Sequence, residues 1–232
     1  MLKKDLILRN PLRLLGQEDQ YILPEGGIGA VLARAGVGKT ALMVQLALDT
    51  LLREKNVLHV SLDDPVEKVS LWHKEVFQNM AAQYNLTQIN QLWDSILPKR
   101  FIMTFKVEGF SVPKLEERLR DLTEQNIFTP QLIIVDGFPF DEASPEPLQQ
   151  LREFSNTHGL RIWFSVKTHR HEEPGPNGIP PQLSNIDDLF NVILQLQPEG
   201  KNVHVKVLRG VEEKDYPELL LDPATMLISR SE

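Results

Sequence analysis

Eight consecutive residues, Ala33, Arg34, Ala35, Gly36, Val37, Gly38, Lys39 and Thr40, join a glycine-containing turn to a basic and a hydroxyl side chain. This combination suits the binding of a polyphosphate. Backbone N–H groups over Arg34, Ala35, Gly36, Val37, Gly38, Lys39, Thr40 and Ala41 would wrap the β- and γ-phosphate oxygens, and Gly36 and Gly38 would let the main chain come close without a Cβ in the way. Lys39 would pair with the phosphates, and the Thr40 hydroxyl would ligate Mg²⁺. ATP and Mg²⁺ are therefore the expected cofactors. The usual pattern opens with glycine; here that position is Ala33.

Such a loop works only where a strand enters it and a helix leaves it. An apolar run at 28–32 reads as a buried strand, and Leu42, Leu46, Ala47 and Leu51 recur on one side of an amphipathic helix. A helix N-terminus adds partial positive charge to the amides. Further strands are predicted at 56–62, 101–105, 132–135 and 160–166, alternating with helices at 66–84, 86–97, 112–125 and 145–157. Residues 167–181, rich in Pro and Gly, read as a loop, and 184–190 as a short helix. Strands at 192–196, 203–208 and within 218–228 follow in hairpin order around Pro198-Glu199-Gly200 and Asp222-Pro223. The expected fold class is α/β: a mostly parallel sheet flanked by helices, with an antiparallel C-terminal meander. Residues 1–25 read as an arm and 26–232 as a single domain.

The 232 residues are 41% hydrophobic and 25% charged, the balance of a water-soluble globular chain. No apolar run reaches membrane-spanning length and no export signal opens the chain, so a cytoplasmic location is expected. The absence of cysteine excludes disulfides and Cys-based zinc or iron–sulfur centres. A net charge of −7 gives no global attraction for nucleic acid.

Turnover would need one carboxylate for Mg²⁺ and another to activate water. Asp136, ending the run LIIVD, fits the first role, because parallel strands deliver their C-terminal ends to the edge where the loop lies. No Glu follows it. The acids next in line are Asp63 and Asp64, after the second strand; the same pair would also suit the start of the helix that opens at Pro65.

The order of Gly-Lys-Thr, an acidic pair after the next strand, an Asp-terminated strand and a strand ending in polar residues resembles the RecA-like ATPases. The likeness is to the branch that includes KaiC clock ATPases and DnaB-type replicative helicases, over roughly residues 25–229. The ARAGVGKT loop resembles the helicase version and SLDDP the KaiC-type acidic pair. The resemblance implies Asp63 as catalytic base with Asp64 beside it. Both relatives carry Glu there, so this chain falls one methylene short. A reach deficit of about an ångström costs on the order of a hundredfold in rate, and slow hydrolysis is the expectation. Lys167 falls at a γ-phosphate-sensing position, where it would contact phosphate or point outward. Arg209 resembles the arginine lent to a neighbouring subunit. The lysine that KaiC-like proteins carry two residues earlier is Val207 here, and Lys206 falls on the other face by strand alternation. The implied assembly is a homo-oligomer, a hexamer being one form, with ATP at subunit interfaces.

Other residues are weaker signals. His169, His171, Glu172 and Glu173 have metal-ligand chemistry but read better as a solvated loop. With Lys167 and Arg170, the same loop sits where RecA-like proteins contact DNA, yet no aromatic residue interleaves for stacking. Trp72, Trp93 and Trp163 read as core, and His59 and His204 as structural. Four functions follow: an oligomeric ATPase coupled to remodelling of a protein partner, a nucleotide-binding switch with negligible turnover, a small-molecule kinase, and a DNA-dependent motor. The first is preferred and the second is its runner-up.

Overall fold

In the computed structural model, which describes residues 2–16, 21–141, 145–169, 172, 175, 178–210 and 218–231, helix α1 (Leu2–Arg9) and a 3-10 turn (Pro11–Leu15) precede the first strand. Leu6, Leu12, Leu15 and Leu23 of this N-terminal segment are buried in the main core. Strand β1 (Ile28–Ala33) leads into α2 (Lys39–Leu52), and β2 (Val57–Ser61) into α3 (Val66–Gln83) and α4 (Ile89–Ile96). Then come β3 (Arg100–Thr104), α5 (Val112–Glu124), β4 (Leu132–Asp136), α6 (Pro145–His158) and β5 (Arg161–Lys167). The expected helix at 184–190 is instead two 3-10 turns, Pro181–Leu183 and Asp187–Leu189. The chain closes with β6 (Val192–Glu199), β7 (Asn202–Arg209), β8 (Leu219–Leu221) and β9 (Ile228–Arg230). Asp222 makes the last hairpin by accepting hydrogen bonds from the Ala224 N–H (2.9 Å) and the Thr225 hydroxyl (2.7 Å).

The nine strands among the described residues form one sheet in the order β3-β2-β4-β5-β1-β6-β7-β8-β9. The pairings from β3 to β6 are parallel and those from β6 to β9 antiparallel. This is the expected α/β class. The inner strands are apolar on both sides because both sheet faces are covered. Leu132 and Ile134 of β4 join the core under α1 to α4, while Ile133 and Val135 join the core under α5 and α6.

Helix α2 differs from the amphipathic expectation, since residues on every side of it are buried. The sheet lies on one side of it and α1, α3 and the β8–β9 hairpin contribute to the same core, so it has no solvent face to make polar. Buried Gln45 ties the hairpin down. Its Nε2 donates to the Met226 carbonyl (2.9 Å), and its Oε1 accepts from the Ile228 N–H (2.9 Å).

The tryptophans are structural as expected: Trp163 is in the core and Trp72 and Trp93 pack against it. His59 of β2 is buried against His73 of α3, with Nδ1 and Nε2 3.0 Å apart. Burial, helped by the nearby Arg100, holds His59 down to about 4, and burial beside His59 holds His73 well below its ordinary value. The unfolded chain therefore binds more protons than the folded one between about pH 6.5 and 4. Stability is expected to be complete above about pH 6.5 and to fall as pH drops towards 4, His59 alone accounting for up to roughly 3 kcal/mol of the loss. Urea unfolding across that range checks this. The double variant His59→Leu, His73→Leu should lose the part of the slope that lies above the carboxylate range.

Candidate functional site

The C-terminal ends of β1, β2, β4 and β5 meet at one edge of the sheet, and side chains from each converge there. At the end of β1, Ala33 is buried and keeps strand geometry, its carbonyl accepting from the Thr168 N–H (3.0 Å). Ala33 has no positive φ, so the position does not require glycine. Gly36 (φ 77°) and Gly38 (φ 106°) do occupy the left-handed region. A Cβ on Gly36 would meet nothing within 4 Å, so the turn is open on that side. Gly38 is the N-cap of α2, and no side chain caps it or places an acid in the first turn. The first amides of α2 thus carry the helix's partial positive charge with no built-in anion.

Lys39 and Thr40 are half-buried in that first turn. Burial lowers the Lys39 pKa, Asp136 and Asp63 oppose the shift, and Lys167 adds to it. The Thr40 hydroxyl donates to Asp136 Oδ2 at 3.4 Å, and Asp136 Oδ1 accepts from the Ser165 hydroxyl. A hydroxyl and a carboxylate are hard oxygen donors suited to Mg²⁺, which commonly takes one or two protein oxygens and completes its shell with phosphate and water. The residues present fit both the triphosphate and the metal: Lys39 and the α2 amides for the first, Thr40 and Asp136 for the second.

The acidic pair divides. Asp63 stays exposed at this edge, against Gly137 (φ 87°), where a Cβ would lie 2.7 Å from the Asp63 carboxyl. Partial burial, Asp136 and Asp64 raise the Asp63 pKa, while Lys39 and Lys167 oppose the rise. The Asp64 carboxylate instead accepts from Lys68 Nζ at 2.8 Å, one turn along α3. Lys167 is registered beside Ala33 and is exposed at the same edge.

Arg209 lies elsewhere. It is registered against Ile193, itself beside Ala30 and nearer the start of β1, and its guanidinium pairs with Asp187 and donates to the Asp187 carbonyl (2.7 Å). A bulge opposite Ile193 and Leu194 breaks the alternation expected to separate Lys206 from Arg209. Lys206 itself pairs with Glu199 at 2.8 Å.

Arg170, His171 and Glu173 lie outside the described residues. His169 pairs with Asp141 at 3.0 Å, and among the described residues no group of three or more His, Asp or Glu side chains could hold a metal ion. No helix among the described residues is long and apolar enough to cross a membrane. Ser165 and Gly137 were not singled out from sequence. Ser165 did leave a signal, a lone hydroxyl in the apolar run of β5.

A strand–glycine turn–helix with Lys39 and Thr40 at the helix start, faced by an Asp at the end of a parallel strand, defines a P-loop domain of the ATP-binding ATPase type. A family model described as an AAA domain matches residues 9–141, more than half of the chain, and the chain belongs to that family. The match includes the loop, both acids after β2 and Asp136, and stops short of Ser165, Lys167 and Arg209. No curated protein matches the chain.

Proposed function

We propose that this domain is a Mg²⁺-dependent ATPase of the RecA/KaiC-like kind. It hydrolyses slowly, works as a homo-oligomer with ATP at subunit interfaces, and couples turnover to remodelling of the oligomer or of a protein partner. One observation carries the reading: Thr40 reaches Asp136 across the sheet edge, with Lys39 in the same helical turn, so the groups that would hold triphosphate and metal lie side by side. When bound, Mg²⁺ would neutralise charge developing on the transferred phosphoryl oxygens. Lys39 and the α2 amides would hold the phosphates, and Asp63 would take the proton of the attacking water. Arg209 lies towards the other sheet edge from its own loop, which favours a role across a subunit boundary over one within the chain.

The runner-up is a nucleotide-binding switch with negligible hydrolysis. Two observations favour it: Asp64 is engaged by Lys68, and Arg209 by Asp187. Steady-state phosphate release, measured beside mass by light scattering with and without Mg-ATP, separates the two. The ATPase reading expects release above a Lys39→Ala control and a larger mass with Mg-ATP. Tight ATP binding with release equal to the control would favour the switch. Stimulation by DNA at low salt is not expected, and its appearance would favour a motor.

A further inference from the structure

Ser165 is 3% exposed in β5, the strand between β1 and β4, and it is flanked by buried Phe164 and Val166. A hydroxyl left unpaired there would be costly. It makes two bonds, and both reach the end of β4. Its Oγ donates to Asp136 Oδ1 and accepts from the Gly137 N–H at 3.2 Å. The first bond fixes the rotation of the carboxylate, so that Oδ2 is the oxygen turned to Thr40. The second holds the left-handed turn at Gly137, one of whose Cα hydrogens faces the Asp63 carboxyl. The Leu62 N–H, donating to the Asp136 carbonyl at 2.9 Å, joins the same corner to the segment that carries Asp63.

We propose that Ser165 is the positioning residue of this site. It aims Asp136 at the metal and fixes the turn against which Asp63 rests, so one buried hydroxyl sets the relation between the metal carboxylate and the acid. The proposal rests on the Mg-nucleotide reading above. Ser165 touches neither nucleotide nor metal and acts through Asp136 and Gly137.

The test is equilibrium binding of a methylanthraniloyl-labelled ATP, titrated with Mg²⁺, for the intact chain and for Ser165→Ala and Ser165→Thr. Outer-shell partners of metal ligands are worth about 10–100-fold in metal affinity. Ser165→Ala is accordingly expected to raise the Mg²⁺ concentration at half-effect by about 10–100-fold, with nucleotide affinity in EDTA unchanged within about twofold. Ser165→Thr, which keeps the hydroxyl, should stay within a few-fold of the parent. Three outcomes overturn the proposal: equal Mg²⁺ midpoints for parent and Ser165→Ala, loss of EDTA-state binding by Ser165→Ala, or a Ser165→Thr variant as impaired as Ser165→Ala with EDTA-state binding intact. Absence of any Mg²⁺ effect on the parent protein would remove the underlying reading as well, and that failure is visible without either variant.

Discussion

Asp63→Asn is expected to lower steady-state phosphate release by about 10²–10⁴-fold, the usual worth of a positioned general base, and to leave ATP affinity within a few-fold. The amide keeps the shape of the side chain and its packing against Gly137 but cannot accept the proton of the attacking water. The free carboxyl is held above its ordinary range by partial burial and by the negative charges of Asp136 and Asp64. A base must be ionised, so turnover should be present above this raised value and be lost as pH falls through it. The sign for stability is opposite. A carboxylate raised in the folded state opposes folding at neutral pH, so Asp63→Asn should fold at least as well as the parent. A release rate unchanged by the substitution would exclude Asp63 as the base. If short reach limits the rate, Asp63→Glu should turn over faster than the parent. A slower Asp63→Glu would assign the limit to the crowding of that carboxyl against Gly137.

Lys39→Ala should weaken ATP binding by roughly 30-fold to several thousand-fold, the cost of removing one partner from a desolvated charge pair. Burial disfavours the Lys39 ammonium in the free protein, and incoming phosphate would favour it. Binding should therefore take up a proton at alkaline pH, and affinity should decline as pH rises through the lowered value of the free protein. The substitution also takes a cation from Asp63 and so raises that carboxyl further. Calorimetry in buffers of different ionisation enthalpy measures the affinity and the proton uptake together. An unchanged dissociation constant would exclude Lys39 as a phosphate ligand.

The loop, the strand feeding it and the strand ending in Asp136 were legible because each is a local pattern: an apolar run, a glycine pair, an acid at a strand end. Partnerships between distant segments were not. Nothing in the spacing of α2 says that the last hairpin will cover it, so the helix reads as amphipathic although Gln45 is bonded to Met226 and Ile228, far along the chain. His59 and His73 meet only because α3 crosses β2. Arg209 looks free from its strand-end position, and Asp187, which engages it, belongs to a turn expected as part of a helix. The Asp64–Lys68 pair is the instructive miss. Its i,i+4 spacing was plain, and it foretold that one acid of the pair would turn away from the site.

The position of α2 in the core has a thermodynamic consequence. The helix whose first turn would grip the triphosphate is enclosed by residues from both chain ends, α1 before it and β9 after it. Beyond the open first turn, its amides should therefore exchange with solvent only when the whole domain opens. Ligand-linked motion would then fall to the rim around Asp63 and Lys167, with α2 serving as the fixed anvil beneath.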